Sequence, residues 1–180
     1  MDRRQKRTRE AVFRAFEELA SEKHYSEITV ADIVDRANVG RSTFYDNFET
    51  KDALLDELCA ELEGHILEGM NSHGADVHGG SLGDSAEGRI AHLLYHLSRS
   101  HSGIFAKLVA EREPRFAVAF ERIATPLLEQ SMPRKATGAP AELRRRVLVE
   151  SLRETVAWWV MSGRKAKPEN VARWYVEMLG

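Results

Sequence analysis

Residues 29–51, TVADIVDRANVGRSTFYDNFETK, decide the fold class of this chain. Helical spacing of the apolar residues predicts two short helices, and Asn38 between them tolerates the left-handed backbone of a tight turn. Small polar and basic side chains cluster on the second helix. This layout is that of a helix-turn-helix, which places one helix in the DNA major groove. From spacing alone, DNA binding and an ordinary exposed helix pair are equally open.

Capping residues predict where the helices of this segment begin and end. Thr29 is expected to cap the first of them, with Asp32 completing a capping box. Gly40 is expected to start the next helix, which would run to about Asn47. Thr50 is then expected to cap a long helix that follows. An amphipathic helix that ends near residue 23 precedes the whole segment.

The composition is that of an ordinary globular protein. The chain has 180 residues, a length sufficient for one large domain or for a small domain plus a larger one. Of these residues, 43% are hydrophobic and 30% are charged. The formal net charge is -2, so nucleic-acid binding has to rest on a local basic surface. A single cysteine, Cys59, favours a reducing cytoplasm. We expect neither a membrane span nor a secretory signal.

The chemistry of the second helix of this segment suits DNA contacts. Arg41 can form two hydrogen bonds with a guanine edge or bind a phosphate, and the short hydroxyl side chains after it permit close approach. Tyr45 and Lys51 suit phosphates, as do the free N–H groups that follow Thr50. The predicted DNA contacts are Thr29, Arg41, Ser42, Thr43, Tyr45, Asn47, Thr50 and Lys51, with Arg3 and Arg4 of a basic N-terminal arm.

Residues 28–55 closely resemble the signature of the TetR family of bacterial transcriptional regulators. The likeness covers roughly the first third of the chain. Residues 150–179 are also similar to the end of the dihydroxyacetone-kinase operon regulators, a TetR subgroup with a Trp-rich helix and a short helix initiated by proline. The residues that match the signature are Ile28, Thr29, Val30, Ile33, Ala37, Val39, Arg41, Thr43, Phe44, Tyr45, Phe48, Lys51 and Leu54.

Three departures from the family pattern are present. His24 stands where the family often has glycine, and Gly40 replaces the usual serine cap. Asp46 and Asn47 replace a pair that is often basic or histidine. Because Asp46 brings a negative charge close to the phosphates, we expect DNA affinity to depend on a dimer and on fit to one site more than on charge.

The resemblance implies an all-α fold and a homodimer. An N-terminal three-helix helix-turn-helix domain would occupy residues 1–50, and a helical ligand-sensing and dimerisation domain residues 51–180. Apolar stripes on the last two helices would form the dimer interface, although a monomer core would explain the same stripes. The predicted interface residues are Leu148, Leu152, Val156, Trp159, Trp174 and Met178.

The resemblance also implies a repressor that binds a palindromic operator in double-stranded DNA. A small apolar effector, bound among the central helices, would release it. Ordinary core packing explains the candidate pocket residues equally well. We expect no cofactor. The candidate pocket residues are Leu62, Ile66, Tyr95, His101, Phe105, Phe116, Phe120 and Trp158.

Three alternatives stay open at the level of sequence. A ligand-independent regulator or an activator could use the same fold. A small helical metal-binding enzyme could use His92 and His96, whose spacing of four can bring two imidazoles to one metal. These histidines fall opposite the apolar stripe of their helix, so we predict that they are exposed unless another helix packs on that face. We predict neither a metal site nor an enzyme. A purely structural helical module is the third alternative.

Overall fold

A computed structural model of the chain describes residues 3–71, 85–99, 104–131 and 138–179. Within these ranges the regular structure is helical, so the predicted all-α fold is confirmed. Residues 71–85, rich in glycine and small polar residues, and residues 133–140 are expected from the sequence to form a loop and a linker, and both lie largely outside the described residues. The helices are α1 (Arg3–Glu22), α2 (Val30–Ala37), α3 (Arg41–Tyr45), α4 (Lys51–Asn71), α5 (Ala86–Arg99), α6 (Ile104–Ala110), α7 (Pro114–Ser131), α8 (Ala141–Met161) and α9 (Pro168–Leu179), with a 3-10 turn at Tyr25–Glu27.

The predicted helix starts in the motif are confirmed. The hydroxyl oxygen of Thr29 accepts a hydrogen bond from the Asp32 N–H at 3.1 Å, and the Asp32 carboxylate accepts one from the Thr29 N–H at 2.7 Å. Asn38 has a φ of 52°, the left-handed conformation that ends α2. Gly40 is the N-cap of α3. Thr50 caps α4 by accepting a hydrogen bond from the N–H of Ala53 at 2.9 Å.

One expected feature at the N-terminus is wrong. The basic residues near the N-terminus do not form an arm, because α1 already begins at Arg3. Arg3 and Arg4 therefore lie on the first turn of a helix, both exposed. They belong to the same helix that farther along buries Phe16 and Leu19.

The aromatic residues of the motif hold α1, α2 and α3 together. Phe16, Ile33 and Phe44 are fully buried, and Phe48 is nearly so. The ring of Phe48 packs on that of Phe13 at 5.4 Å between centroids. Burying each such side chain stabilises the fold by about 1.5–3 kcal/mol, so α3 is held by its apolar face although it is only five residues long.

The long helix α4 connects the motif to the remaining helices. It is separated from α3 by residues 46–50 and packs on α5 and α7, while α5 packs on α9 and α6 on α8. Its buried stripe, with Leu54, Leu58 and Ile66, is continuous with the core of the motif. None of the helices in the described part of the chain is both long and apolar enough to cross a membrane.

Candidate nucleic-acid interface

The candidate recognition surface is the outer face of α3. Phe44 anchors the helix in the core, and the residues opposite it point outward. Arg41 and Ser42 are exposed, Thr43 is half-buried, and the ring of Tyr45 is 55% exposed. One turn of helix therefore carries a buried anchor on one side and both short and long polar side chains on the other. This face can offer hydrogen bonds to base edges and to phosphates.

Asn47, a predicted DNA contact, has a structural role at the end of α3. Its side-chain N–H group donates a hydrogen bond to the main-chain oxygen of Thr43 at 2.8 Å, and the residue is half-buried. The bond occupies the Thr43 oxygen, and the main-chain N–H of Asn47 bonds instead to the oxygen of Phe44 at 2.9 Å, so the helical pattern changes after Tyr45, where α3 ends. The amide of Asn47 is thus directed toward the protein and away from the outer face of α3.

Three other predicted contacts serve also as helix caps or packing groups. The Thr29 hydroxyl donates to the Asp32 carboxylate at 2.6 Å, and Thr50 caps α4 while remaining exposed. Lys51 is half-buried, and its ammonium group lies 4.0 Å from the centroid of the Tyr25 ring. Burial lowers the pKa of Lys51. These residues line the rim of the motif, where a phosphate contact would compete with bonds inside the protein.

Arg9 belongs to the same basic N-terminal run as Arg3 and Arg4, but its side chain packs inward against the motif. Its guanidinium group lies 4.6 Å from the ring centroid of Phe48 and 5.5 Å from that of Phe13. It also forms an ion pair with Glu57 of α4 and donates a hydrogen bond to the main-chain oxygen of Asn47 at 3.5 Å. The spacing of four between Arg9 and Phe13 places both on one face of a helix, and this signal could have revealed its inward position.

The structure brings together five of the candidate pocket residues. Their side chains are buried in the core formed by α4, α6 and α7, where the rings of Phe105 and Phe116 stack at 5.4 Å. Tyr95 is half-buried at a separate cleft, and His101 lies outside the described residues. Trp158 is 53% exposed, so its prediction as a pocket residue is wrong. The five residues that share the core are Leu62, Ile66, Phe105, Phe116 and Phe120.

A surface cleft of about 790 Å³ lies between α4 and α7. Charged side chains line much of it. Arg115 bridges two carboxylates of α4, at 3.0 Å from Asp52 and 2.9 Å from Asp56. The phenol of Tyr25 donates a hydrogen bond to the same Asp52. The pKa of Tyr25 is raised mainly by its burial and, to a smaller extent, by this hydrogen bond. The cleft is therefore too polar for the apolar effector expected from the sequence.

The predicted dimer interface is partly wrong. Leu152, Val156 and Trp159 are at most 2% exposed, because their stripe on α8 faces the core of the same protomer. At about 100° per residue, a second apolar stripe lies on the opposite side of α8. The exposed apolar side chains of α9, which include the predicted Trp174 and Met178, are grouped with it because Trp158 of α8 contacts Trp174 of α9. We call this set the α8–α9 face, and its members are Leu143, Val147, Trp158, Met161, Trp174 and Met178.

The histidines of α5 are buried more deeply than predicted. His96 is only 3% exposed and His92 is half-buried, since α4 and α9 both pack on α5. The ring of His96 lies 4.4 Å from that of His92 and 4.6 Å from that of His65, measured between centroids. In the described ranges, no group of three or more potential ligands is arranged to hold a metal ion.

Known proteins match both the motif and the whole fold. The sequence model for bacterial regulatory proteins of the tetR family matches residues 12–58. A curated relative, "Uncharacterized HTH-type transcriptional regulator YxbF" of Bacillus subtilis (strain 168), is 42% identical over 71 residues. That match covers 37% of this chain and 19% of the relative, so the chain spans only a small part of that protein's length.

Solved structures also resemble the chain over nearly its whole length. A TetR transcriptional regulator from Streptococcus agalactiae 2603V aligns with a TM-score of 0.75 and 32% identity, over 98% of this chain and 96% of that chain. The dihydroxyacetone kinase operon activator DhaS aligns with a TM-score of 0.56 and 20% identity, over 96% of this chain and 93% of that chain. The second likeness concerns the fold alone.

Proposed function

The chain belongs to the TetR family of bacterial transcriptional regulators, and we propose that it acts as a homodimeric repressor that a small-molecule effector releases from a palindromic operator. The observation that carries the proposal is the outer face of α3. Arg41, Ser42 and Tyr45 are exposed there while Phe44 fixes the helix from behind. A helix held in this way can enter the major groove without losing its own support.

The α8–α9 face supports the proposed homodimer. Its side chains are large, apolar and exposed, and the rings of Trp158 and Trp174 contact each other at 6.4 Å between centroids. Large apolar side chains left exposed on two neighbouring helices are typical of an interaction surface. A second copy would cover it through a two-fold axis, with each partner contributing the same surface. The two copies of α3 would then read two half-sites.

The proposed division of labour follows the order of the helices. Residues 1–50 would bind DNA, and residues 51–180 would sense the effector and form the dimer. An apolar effector would enter the core around Phe105, Phe116 and Phe120, where it would have to displace packed aromatic rings. Because α4 carries Leu62 and Ile66 in the same core and begins at the motif, its displacement would move the recognition helix.

Selection of bound sequences from a random DNA duplex library tests the proposal. We expect the full-length protein to enrich a palindrome whose half-site centres are about 34–36 Å, or a multiple of this, apart. The control is a variant with Arg41→Ala and Ser42→Ala, which should fold normally and enrich no sequence. A wild-type protein that shows no sequence preference at moderate salt would contradict the proposal.

The close packing of the aromatic core favours one second candidate, a ligand-independent regulator of the same fold. The ring of Phe116 contacts the ring of Phe105 on one side and that of Phe120 on the other. A screen of apolar ligands by thermal denaturation separates the two candidates. A ligand that raises the melting temperature and lowers operator affinity supports the repressor with an effector, whereas a screen without such a ligand supports the second candidate.

A further inference from the structure

Lys107 of α6 reaches across to the end of α1. Its ammonium group donates hydrogen bonds to the main-chain oxygens of Ala20 and Lys23, the latter at 3.1 Å. It also pairs with Glu111 at 3.6 Å, and Glu111 in turn lies 3.0 Å from the imidazole of His24. The lysine therefore joins the last turn of α1 to a helix 84 and 87 residues away in the sequence.

The end of α1 needs such a partner. The last carbonyl groups of a helix have no partner within it, and together they carry a partial negative charge that attracts cations. The last turn of α1, a helix described over its whole length, contains no basic residue of its own. Lys107 supplies the missing cation from α6, and the side chain is only 32% exposed.

The position of this contact gives it a mechanical consequence. Arg9 connects α1 to α4 and to the main chain after α3, and Lys51 connects α4 to the turn that follows α1, so these elements are joined into one unit. The contact between α1 and α6 is a second attachment of that unit to the other helices. Lys107 lies two residues after Phe105, which packs on Phe116 in the shared core. A displacement of Phe105 would therefore move Lys107 and change its contact with the end of α1.

We propose that Lys107 is a positioning residue that sets the angle of the helix-turn-helix on the sensor helices. It thereby sets the separation of the two recognition helices in the dimer. This inference rests on the proposed function, because separation matters only to a protein that reads two half-sites. Lys107 touches no DNA in this scheme, so its loss affects two-site binding and leaves one-site binding intact.

The first test compares Lys107→Met, which keeps most of the length of the side chain and removes the charge, with Lys107→Arg, which keeps the charge. The matched control is Lys165→Met, at an exposed lysine between α8 and α9. Binding is measured by gel shift to the selected palindrome and to a duplex with one half-site. We expect Lys107→Met to weaken palindrome binding about tenfold or more, since two charge-assisted hydrogen bonds are lost. Half-site binding should not change, and Lys107→Arg should restore most of the affinity.

The second test needs no operator. A nitroxide label on Glu49→Cys, an exposed position close to α3, reports the distance between the two heads of the dimer by pulsed electron paramagnetic resonance. The native Cys59 is 2% exposed, so the label is confined to the introduced cysteine. We expect the distance distribution to broaden in Lys107→Met and to stay narrow in Lys107→Arg and Lys165→Met. If Lys107→Met does not fold, Lys107→Gln replaces it, with an intermediate broadening expected.

The outcomes separate this inference from the proposed function. If the wild-type protein selects no palindrome or forms no dimer, the proposed function fails and the inference fails with it. If the wild-type protein does both, and Lys107→Met binds the palindrome normally with a narrow distance distribution, only the inference is overturned. Equal weakening on the palindrome and on the half-site also overturns it, because that result indicates general loss of structure.

Discussion

The ammonium group of Lys51 donates a hydrogen bond to the main-chain oxygen of Tyr25 at 2.8 Å and lies 4.0 Å from the centroid of that tyrosine's ring. Lys51 therefore fastens the start of α4 to the turn that follows α1. The lysine can serve a DNA phosphate only as an addition to this role. A side chain predicted to be a surface contact is in fact part of the support of the motif.

We predict that Lys51→Met lowers the free energy of unfolding by about 1–3 kcal/mol, because a charge-assisted hydrogen bond and a cation–π contact are lost. Urea denaturation followed by circular dichroism measures the change, and the exposed Lys165→Met is the control. DNA affinity should fall similarly for all sequences. Unchanged stability would show that the contact with Tyr25 contributes nothing in solution.

Arg41→Ala should affect DNA binding without affecting the fold. Arg41 is exposed on α3, so stability should stay within about 0.5 kcal/mol of the wild type. If Arg41 reads a base, specific binding should weaken by about 1–3 kcal/mol, as measured by competition gel shift. Arg145→Ala removes the same charge from an exposed position on α8 and should leave the affinity unchanged. Equal loss on random DNA would assign Arg41 to a phosphate instead.

A charge on the α8–α9 face should separate the protomers. Trp158→Glu places a carboxylate at the centre of the apolar set, and its burial in a dimer would be costly. Size-exclusion chromatography with light scattering should show a monomer of normal helix content. Val118→Glu is the matched control, since Val118 is an equally exposed apolar residue on α7, away from this face. A dimer that persists in Trp158→Glu would place the interface elsewhere.

Asp32 should make the motif sensitive to acid. Hydrogen bonds from the Thr29 hydroxyl group and from Lys23 hold the pKa of this carboxyl well below its usual range. Because the pKa is lower in the folded state, Asp32 contributes stability above the pKa of the unfolded chain, about 4, and this contribution is lost as the pH falls. Asp32→Asn should therefore be less stable than the wild type at pH 7.

The difference between Asp32→Asn and the wild type should shrink progressively below about pH 4. Thermal denaturation across this pH range provides the measurement. Asp35→Asn removes the same charge from an exposed position on α2 and controls for net charge. A difference that stays constant down to pH 2 would mean that the carboxylate of Asp32 plays no part in the acid sensitivity.

Cys59 should report unfolding rather than redox state. Burial raises the pKa of its thiol to about 12, so almost no thiolate is present at neutral pH. We expect the native protein to resist Ellman's reagent at pH 8 and to react fully in concentrated urea. Rapid stoichiometric reaction of the native protein would show that α4 and α7 open around the cysteine.

Local chemistry explains why the motif was predicted closely. The Thr29–Asp32 capping box, the left-handed Asn38 and the caps at Gly40 and Thr50 each depend on residues within a few positions of one another. These groups form the same bonds wherever the segment is placed. The family resemblance rests on the same short-range pattern, and therefore on the part of the chain whose conformation is least dependent on the rest.

The errors lie where two faces of one helix are both apolar. On α8, Leu152 and Trp159 face the core while Trp158 and Met161 face outward, and helical spacing permits either stripe to be the buried one. The same ambiguity affected His96, which is buried because α4 covers a face that one helix alone would leave in water. Whether such a side chain is buried depends on which helix packs against it, and that helix is distant in sequence.

The amino-acid sequence alone thus specified the helix caps, the turn geometry and the apolar periodicity, because each arises from interactions along a few turns of chain. Packing of remote helices decided the rest. It turned Arg9 inward onto Phe48, it placed Lys51 on Tyr25, and it brought Lys107 to the end of α1. Long charged side chains can reach solvent or protein with equal ease, and only the surface that arrives beside them selects between the two.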